Sequence, residues 1–263
     1  MKIESGTPCL VTGASSGIGR AIALELARRG ARVGLLARSE DALQELAAEL
    51  AEVGGEGLAV AADVRSEEQV EQAIARLVEA FGGLRLVVAN AGLGRYAAVA
   101  EQPAEHVDTT IGINYVGLTR TIRHALPHLL AATPSHVVGL TSSAGLIPHR
   151  MGSAYCASKA ASNAYLATLR LEVLERGVGV SWICPGIVET PFIAKADLDP
   201  SQDLPRLARI FVRHLEVDEV ARATVRAIEG NKRQVVMPWM MRFFAWTRRM
   251  APGFGDWLNR VTG

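Results

Sequence analysis

Cysteine is scarce in this chain: Cys9, Cys156 and Cys184 are the only three among 263 residues. An odd, widely spaced set offers no disulfide framework and no metal-ligand spacing. It reads as reduced thiols in a cytoplasmic protein. An excess of charge is also lacking, with a net charge of +1. That removes the bulk basicity that nucleic-acid binding requires. No uninterrupted apolar run approaches the ~20 residues of a membrane-spanning helix. The N-terminal stretch Met1 to Thr7 has no apolar signal core.

What is present is a hydrophobic chain, 49% apolar, long enough for one large α/β domain. Short apolar runs alternate with helical patterns. Strands are expected at Cys9–Val11, Arg32–Ala37, Gly57–Ala61, Leu84–Ala89, His136–Thr141, Val178–Cys184 and Gln234–Met237. Helices are expected at Ile18–Arg29, Glu40–Val53, Ser66–Phe81, Ala104–Ala132, Ser153–Arg176 and Val217–Glu229. The alternation predicts a doubly wound parallel sheet of about seven strands with helices on both faces. Ligands of such sheets bind at the carboxyl ends of the strands. Residues 1–236 form the expected domain, with a substrate lid at 191–215, and 237–263 extend it.

The first strand runs into Thr12-Gly13-Ala14-Ser15-Ser16-Gly17-Ile18-Gly19. Glycine there lets a phosphate approach the backbone, and the following helix points its free N–H groups at that phosphate. A glycine-rich turn in the first strand-to-helix unit predicts dinucleotide binding. The second strand ends at Ala37, and Arg38 follows. A carboxylate at this place serves NAD, whereas an arginine favours the 2′-phosphate of NADP. NADP(H) is therefore the preferred cofactor and NAD(H) the alternative. The bland reading of Arg38 is a solvated residue before a helix cap at Ser39.

Tyr155 and Lys159 lie four apart in Tyr-Cys-Ala-Ser-Lys and so share one helix face. A free phenol titrates near ~10 and is a poor acid or base at neutral pH. A neighbouring ammonium favours the phenolate and lowers that value, making the phenol a usable acid/base.

Several signatures then occur in one order: the glycine-rich turn, Asp63-Val64, Asn90-Ala91-Gly92, Asn114, Ser142, Tyr155 with Lys159, and Pro185-Gly186 before Thr190. This ordered set resembles the short-chain dehydrogenase/reductase family. The resemblance implies a Rossmann-like single domain and an oxidoreductase that interconverts a carbonyl and an alcohol. It implies that Tyr155 is the acid/base. Lys159 holds the nicotinamide ribose and lowers the phenol pKa. Ser142 bonds the substrate oxygen, and Asn114 holds a water in a proton relay. The adjacent Ser143 fits less well, because Ser142-x-x-Gly145 matches the family spacing. Asp63 and Val64 would meet the adenine. The turn of Asn90, Ala91 and Gly92 would pack beside the adenosine half. Val188 and Thr190 would meet the carboxamide and phosphates. Family members are often homodimers or homotetramers built on the long helices around Asn114 and Tyr155. The rival reading is a nucleotide-binding regulatory or scaffold protein on the same fold.

Specificity is expected in the loops Leu93 to Ala100 and Gly145 to Gly152, and in the segment Pro191 to Leu215. The last carries Phe192, Ile193, Leu198, Leu204, Leu207, Ile210 and Phe211, which favour a small hydrophobic substrate of lipid, steroid, retinoid or acyl type and could equally form the core of the lid itself. His124 and His128 lie one turn apart with Pro127 between them and no third ligand evident. They read as surface or interface residues. The tail holds Trp239, Phe243, Phe244, Trp246, Phe254 and Trp257. On a helical wheel Trp239, Phe243, Trp246 and Met250 share one side, with Arg242, Arg248 and Arg249 expected on the other. Such a helix can pack on its own domain as a lid, lie on a membrane surface, or join subunits.

Overall fold

The apolar strands form the core of a computed structural model that describes residues 1–190, 192, 213–251 and 253. Seven parallel strands lie in the order β3-β2-β1-β4-β5-β6-β7. They are β1 (Pro8–Thr12), β2 (Arg32–Ala37), β3 (Glu56–Ala61), β4 (Leu86–Ala89), β5 (Ser135–Leu140), β6 (Val178–Pro185) and β7 (Gln234–Met237). The order reverses between β1 and β4, which opens the crevice expected of a doubly wound sheet.

Helices α1 (Gly17–Ala27), α2 (Glu40–Glu52) and α7 (Val217–Glu229) cover one face of the sheet. Helices α3 (Glu67–Phe81), α5 (Leu118–Ala131) and α6 (Ser153–Val173) cover the other. The two-residue alternation of each strand feeds both layers. Val88 and Val138 join Ile22, Leu46 and Val225, while Val87 and Val137 join Leu77, Ile122 and Leu166. Each such buried side chain stabilises the fold by ~1.5–3 kcal/mol.

Local signals end the helices where the sheet requires it. Ser66 caps α3 by accepting from the Gln69 N–H, and Gly82 closes it in the left-handed conformation at φ 72°. The expected single helix Ala104–Ala132 is corrected. It divides into α4 (Ala104–Ile111), a π-helical stretch Gly112–Gly117 and α5. The helix expected to reach Arg176 ends at Val173, followed by a 3-10 turn Leu174–Arg176. A last helix, α8 (Met240–Met250), follows β7.

Most of the expected lid, including Ile193, Leu198, Leu204, Leu207, Ile210 and Phe211, lies outside the described residues, as do Phe254 and Trp257. Among the described residues no helix is long and apolar enough to cross a membrane.

Candidate active site

The carboxyl ends of β1, β2, β4, β5 and β6 carry the site. Between β1 and α1 the chain turns through Gly13 and Gly17, at φ +66° and +55°. A Cβ on Gly13 would lie 2.8 Å from the Ala91 Cα, and one on Gly17 would lie 3.2 Å from Thr190 Cγ2. Asn90 braces this turn: its Nδ2 donates to the carbonyls of Thr12 (2.9 Å) and Gly13 (3.2 Å). Thr12 Oγ1 in return accepts from the N–H groups of Asn90 (3.0 Å) and Ala91 (3.1 Å). Ser15 and Ser16 lead into α1, Ile18 packs on the core and Gly19 is buried. No side chain caps α1. Its first N–H groups and positive dipole end are left for a ligand phosphate.

Arg38 follows β2, is exposed, and makes no hydrogen bond or ion pair among the described residues. Asp63 is engaged by Arg65, whose Nη2 and Nε donate to its carboxylate at 2.7 and 3.0 Å. These bonds hold the Asp63 carboxyl below the ordinary carboxylate range, and the more distant charge of Arg38 adds to them. Val64 and Val188 are core side chains. The backbone of Val188 is held by a parallel bridge to Leu215. Pro185 ends β6, and the Gly186 N–H donates to the Met237 carbonyl at 2.7 Å. An uncapped helix end, a turn that Cβ atoms would fill and an unpaired solvent-facing arginine fit a phosphorylated dinucleotide.

Tyr155, Ser142 and Lys159 converge beside this turn. Tyr155 is 9% exposed and Lys159 is buried. The Ser142 hydroxyl is the one near enough to the phenol to oppose the rise of its pKa, which distinguishes it from Ser143. Its Oγ also accepts from the Ala144 N–H at 3.1 Å. Lys159 Nζ donates to the Leu140 carbonyl at 2.9 Å and lies 5.8 Å from the Tyr155 ring centroid. The expectation of a lowered phenol is corrected here. Burial pushes Tyr155 up to about 12, and the Ser142 hydroxyl only partly opposes it. Burial also pushes Lys159 down from 10.5 to about 8. Spacing placed the two on one helix face but did not fix what the ammonium would bond.

Asn114 sits in the π-helical stretch and ties it to its neighbours. Its Oδ1 accepts from the Leu93 N–H at 2.7 Å. Its Nδ2 donates to the Leu93 carbonyl (2.8 Å) and to Ser158 Oγ (3.0 Å). Both amide hydrogens are thus used, and one lone pair of Oδ1 remains. A Cβ on Gly92 would stand 3.5 Å from both Asn114 Oδ1 and Lys159 Nζ, so the two groups lie on the same side of this turn.

The two specificity loops are joined. The Ala97 N–H donates to the Met151 carbonyl at 2.9 Å, and the rings of Tyr96 and His149 stack at 5.7 Å. Tyr96 and Phe192 pack on Tyr155, with ring centroids 5.6 and 5.8 Å away. Burial alone would raise the Cys156 thiol, but its bond to His149 outweighs that and holds it below its ordinary value. His124 lies 3.4 Å from the Glu67 carboxylate. Sequence reasoning missed Thr12, Ser158 and the stacking role of Tyr96. The first two carry only the signal of a small hydroxyl residue inside a motif.

A family model described as short chain dehydrogenase matches residues 8–200. An uncharacterized oxidoreductase of Staphylococcus epidermidis is 34% identical over 195 residues, covering 74% of this chain and 84% of the relative. The 11-beta-hydroxysteroid dehydrogenase A of Sesamum indicum is 31% identical, covering 98% of this chain and 75% of the relative. A solved short-chain dehydrogenase/reductase from Burkholderia phymatum, in complex with NAD, is 27% identical with a TM-score of 0.85. That comparison covers 97% of this chain and 96% of the other. An alcohol dehydrogenase from Thermococcus sibiricus, complexed with 5-hydroxy-NADP, is 31% identical with a TM-score of 0.77. It covers 88% of this chain and 95% of its own. With these matches and the seven-stranded parallel sheet, the chain belongs to the short-chain dehydrogenase/reductase family of oxidoreductases, whose relatives bind NAD or NADP.

Proposed function

We propose that the chain is an NADP(H)-dependent oxidoreductase that interconverts a carbonyl and a secondary alcohol on a small hydrophobic substrate. The observation that carries this reading is the buried Tyr155 phenol, with the Ser142 hydroxyl near enough to lower its proton affinity and the Lys159 Nζ 5.8 Å from its ring centroid. The nicotinamide supplies or accepts the hydride when bound. Tyr155 gives its proton to the substrate oxygen in reduction and removes one in oxidation. At about 12 the phenol is protonated at neutral pH, the form needed to donate in reduction, but it is a weak acid until the charge developing on the substrate oxygen draws the proton. Ser142 donates to the same oxygen and stabilises the charge that develops there. Lys159 returns the proton from the Asn114 side, where the remaining Oδ1 lone pair can hold a relay water.

The exposed Arg38 supports NADP(H), and NAD(H) is the weaker alternative. The rings of Tyr96 and Phe192 against Tyr155 support an apolar substrate. A named relative that is a hydroxysteroid dehydrogenase is consistent with that class. In the same reading the enzyme is a cytoplasmic homo-oligomer that contacts membranes peripherally. Leu171 on α6, 85% exposed, supports a subunit contact on that helix. The test is turnover of hydrophobic ketones, followed at the nicotinamide absorbance with NADPH and with NADH. We expect NADPH oxidation with apolar ketones. No turnover of any carbonyl or alcohol with either cofactor would leave a nucleotide-binding scaffold as the better reading.

A further inference from the structure

The catalytic reading leaves one region of the molecule unused, the helix α8. Ten large hydrophobic side chains are exposed among the described residues, and four of them lie on this helix and its first flank. Trp239, Phe243, Trp246 and Met250 are 75%, 56%, 59% and 66% exposed. Spaced four, three and four apart, they form one continuous stripe. The Phe243 and Trp246 rings already stack at 6.4 Å, so the stripe is partly pre-ordered. Own-domain packing of these four side chains, one of the sequence readings, is not what the structure has.

The arginines also lie differently from the wheel expectation. Arg242 and Arg249 are exposed at the edge of the stripe, two turns apart. Arg248 is on the opposite side, partly buried and engaged. From Gly230 to Gly255 the sequence has five basic side chains and no carboxylate. Two copies meeting stripe to stripe would bring Arg242 and Arg249 together with nothing on the helix to neutralise them. The charge therefore selects an anionic partner, and the aromatic stripe selects one with an apolar interior. An anionic lipid bilayer has both properties, with tryptophan favoured at its interface and arginine at its headgroups.

We infer that α8 docks the protein on an anionic lipid surface, with Trp239, Phe243, Trp246 and Met250 in the acyl boundary and Arg242 and Arg249 on the headgroups. The helix starts one residue pair beyond β7, whose last residue Met237 lies beside Pro185 and accepts the Gly186 N–H. Docking thus holds the catalytic edge of the sheet near the lipid. If the oxidoreductase reading holds, the substrate is a carbonyl or alcohol dissolved in that lipid.

The experiment is vesicle sedimentation of the full chain, with no cofactor or substrate present. Vesicles of phosphatidylcholine mixed with phosphatidylglycerol should carry the protein down, and tryptophan emission should shift to the blue. Trp182 is buried and contributes little to that shift. Neutralising Arg242→Gln and Arg249→Gln together should weaken binding by roughly 30-fold. Phe243→Ser with Trp246→Ser should abolish it, while the melting temperature remains that of the wild type. Equal binding to neutral and anionic vesicles would overturn the assignment of an anionic surface. Wild-type protein that stays in the supernatant with both lipids would overturn the docking itself. So would a sedimentation-velocity dimer that Phe243→Ser with Trp246→Ser dissolves in the absence of lipid. None of these readouts depends on turnover, so failure here leaves the oxidoreductase reading to its own test.

Discussion

Two aromatic clusters of this molecule are built in opposite ways. Around the Tyr155 phenol, the rings of Tyr96, Tyr155 and Phe192 are packed together. On α8, Trp239, Phe243 and Trp246 stand in solvent with unpaired arginines at their edge. Burial changes what a side chain can do chemically, because it moves proton affinities and excludes water. Exposure leaves the chemistry ordinary and makes area available to another surface. In the proposed reading the first cluster is a reaction site and the second a docking surface.

The largest expected effect tests the buried cluster. Tyr155→Phe keeps the ring packing and removes only the hydroxyl. Turnover should fall by ~10²–10⁴-fold while dinucleotide binding, read by fluorescence, persists. Retained turnover would break the contrast, since the cluster would then be packing alone.

Next comes the buried ammonium. Lys159 titrates lower in the fold, at about 8, than in the unfolded chain, at 10.5. Between these values the unfolded chain holds the extra proton, so stability should rise with pH from about 8 to 10.5. Tyr155 has the opposite sign. Its folded value of about 12 exceeds 10.0, so stability should fall as pH climbs from 10.0 towards 12. Burial raises the Cys9 and Cys184 thiols as well, which opposes the Lys159 rise above pH 9. The rise is therefore read as the difference between denaturant melts of wild type and Lys159→Met, which should grow from about 8 to 10.5. That variant should be inactive at every pH.

A smaller effect is expected at the cofactor edge. Arg38→Ala should raise the KM for NADPH about tenfold, the loss of one charge-assisted contact, and leave that for NADH unchanged. Equal change for both would remove the basis for NADP preference. The smallest effect sharpens the exposed side of the comparison. Phe243→Ser with Trp246→Ser should alter stability by no more than ~0.5 kcal/mol and leave turnover of a water-soluble ketone unchanged. A large loss of stability would mean that the stripe is part of the core after all.

The parts of the fold set by local pattern were legible in the sequence. Arg32–Ala37, Val217–Glu229 and Gln234–Met237 fall where periodicity and flanking turns put them. The glycine-rich turn was legible because its backbone conformation demands glycine at 13 and 17. The division of the long helix at Asn114 was not, because it is fixed from outside. Leu93 and Ser158 take the Asn114 side chain, and Ser162 Oγ takes its backbone carbonyl at 3.1 Å. The spacing of Tyr155 and Lys159 gave their shared face but not their burial, and burial decides both proton affinities. For α8 the helical wheel gave the stripe but not the direction in which it faces, which depends on what the rest of the chain leaves uncovered.

The π-helical stretch Gly112–Gly117 has a consequence for how this family can change. A π turn accommodates one residue more than the regular helix it interrupts. Deleting one residue there would let the stretch close into regular α-helix with the flanking turns keeping their faces, so the loss would fall on the local geometry that the extra residue creates. The Asn114 side chain would shift off Leu93 and Ser158 while the helices on either side stayed in place. Chain length in this short stretch is therefore under as firm a constraint as residue identity. A single-codon deletion at 112–117 should be tolerated less well than most substitutions at the same positions.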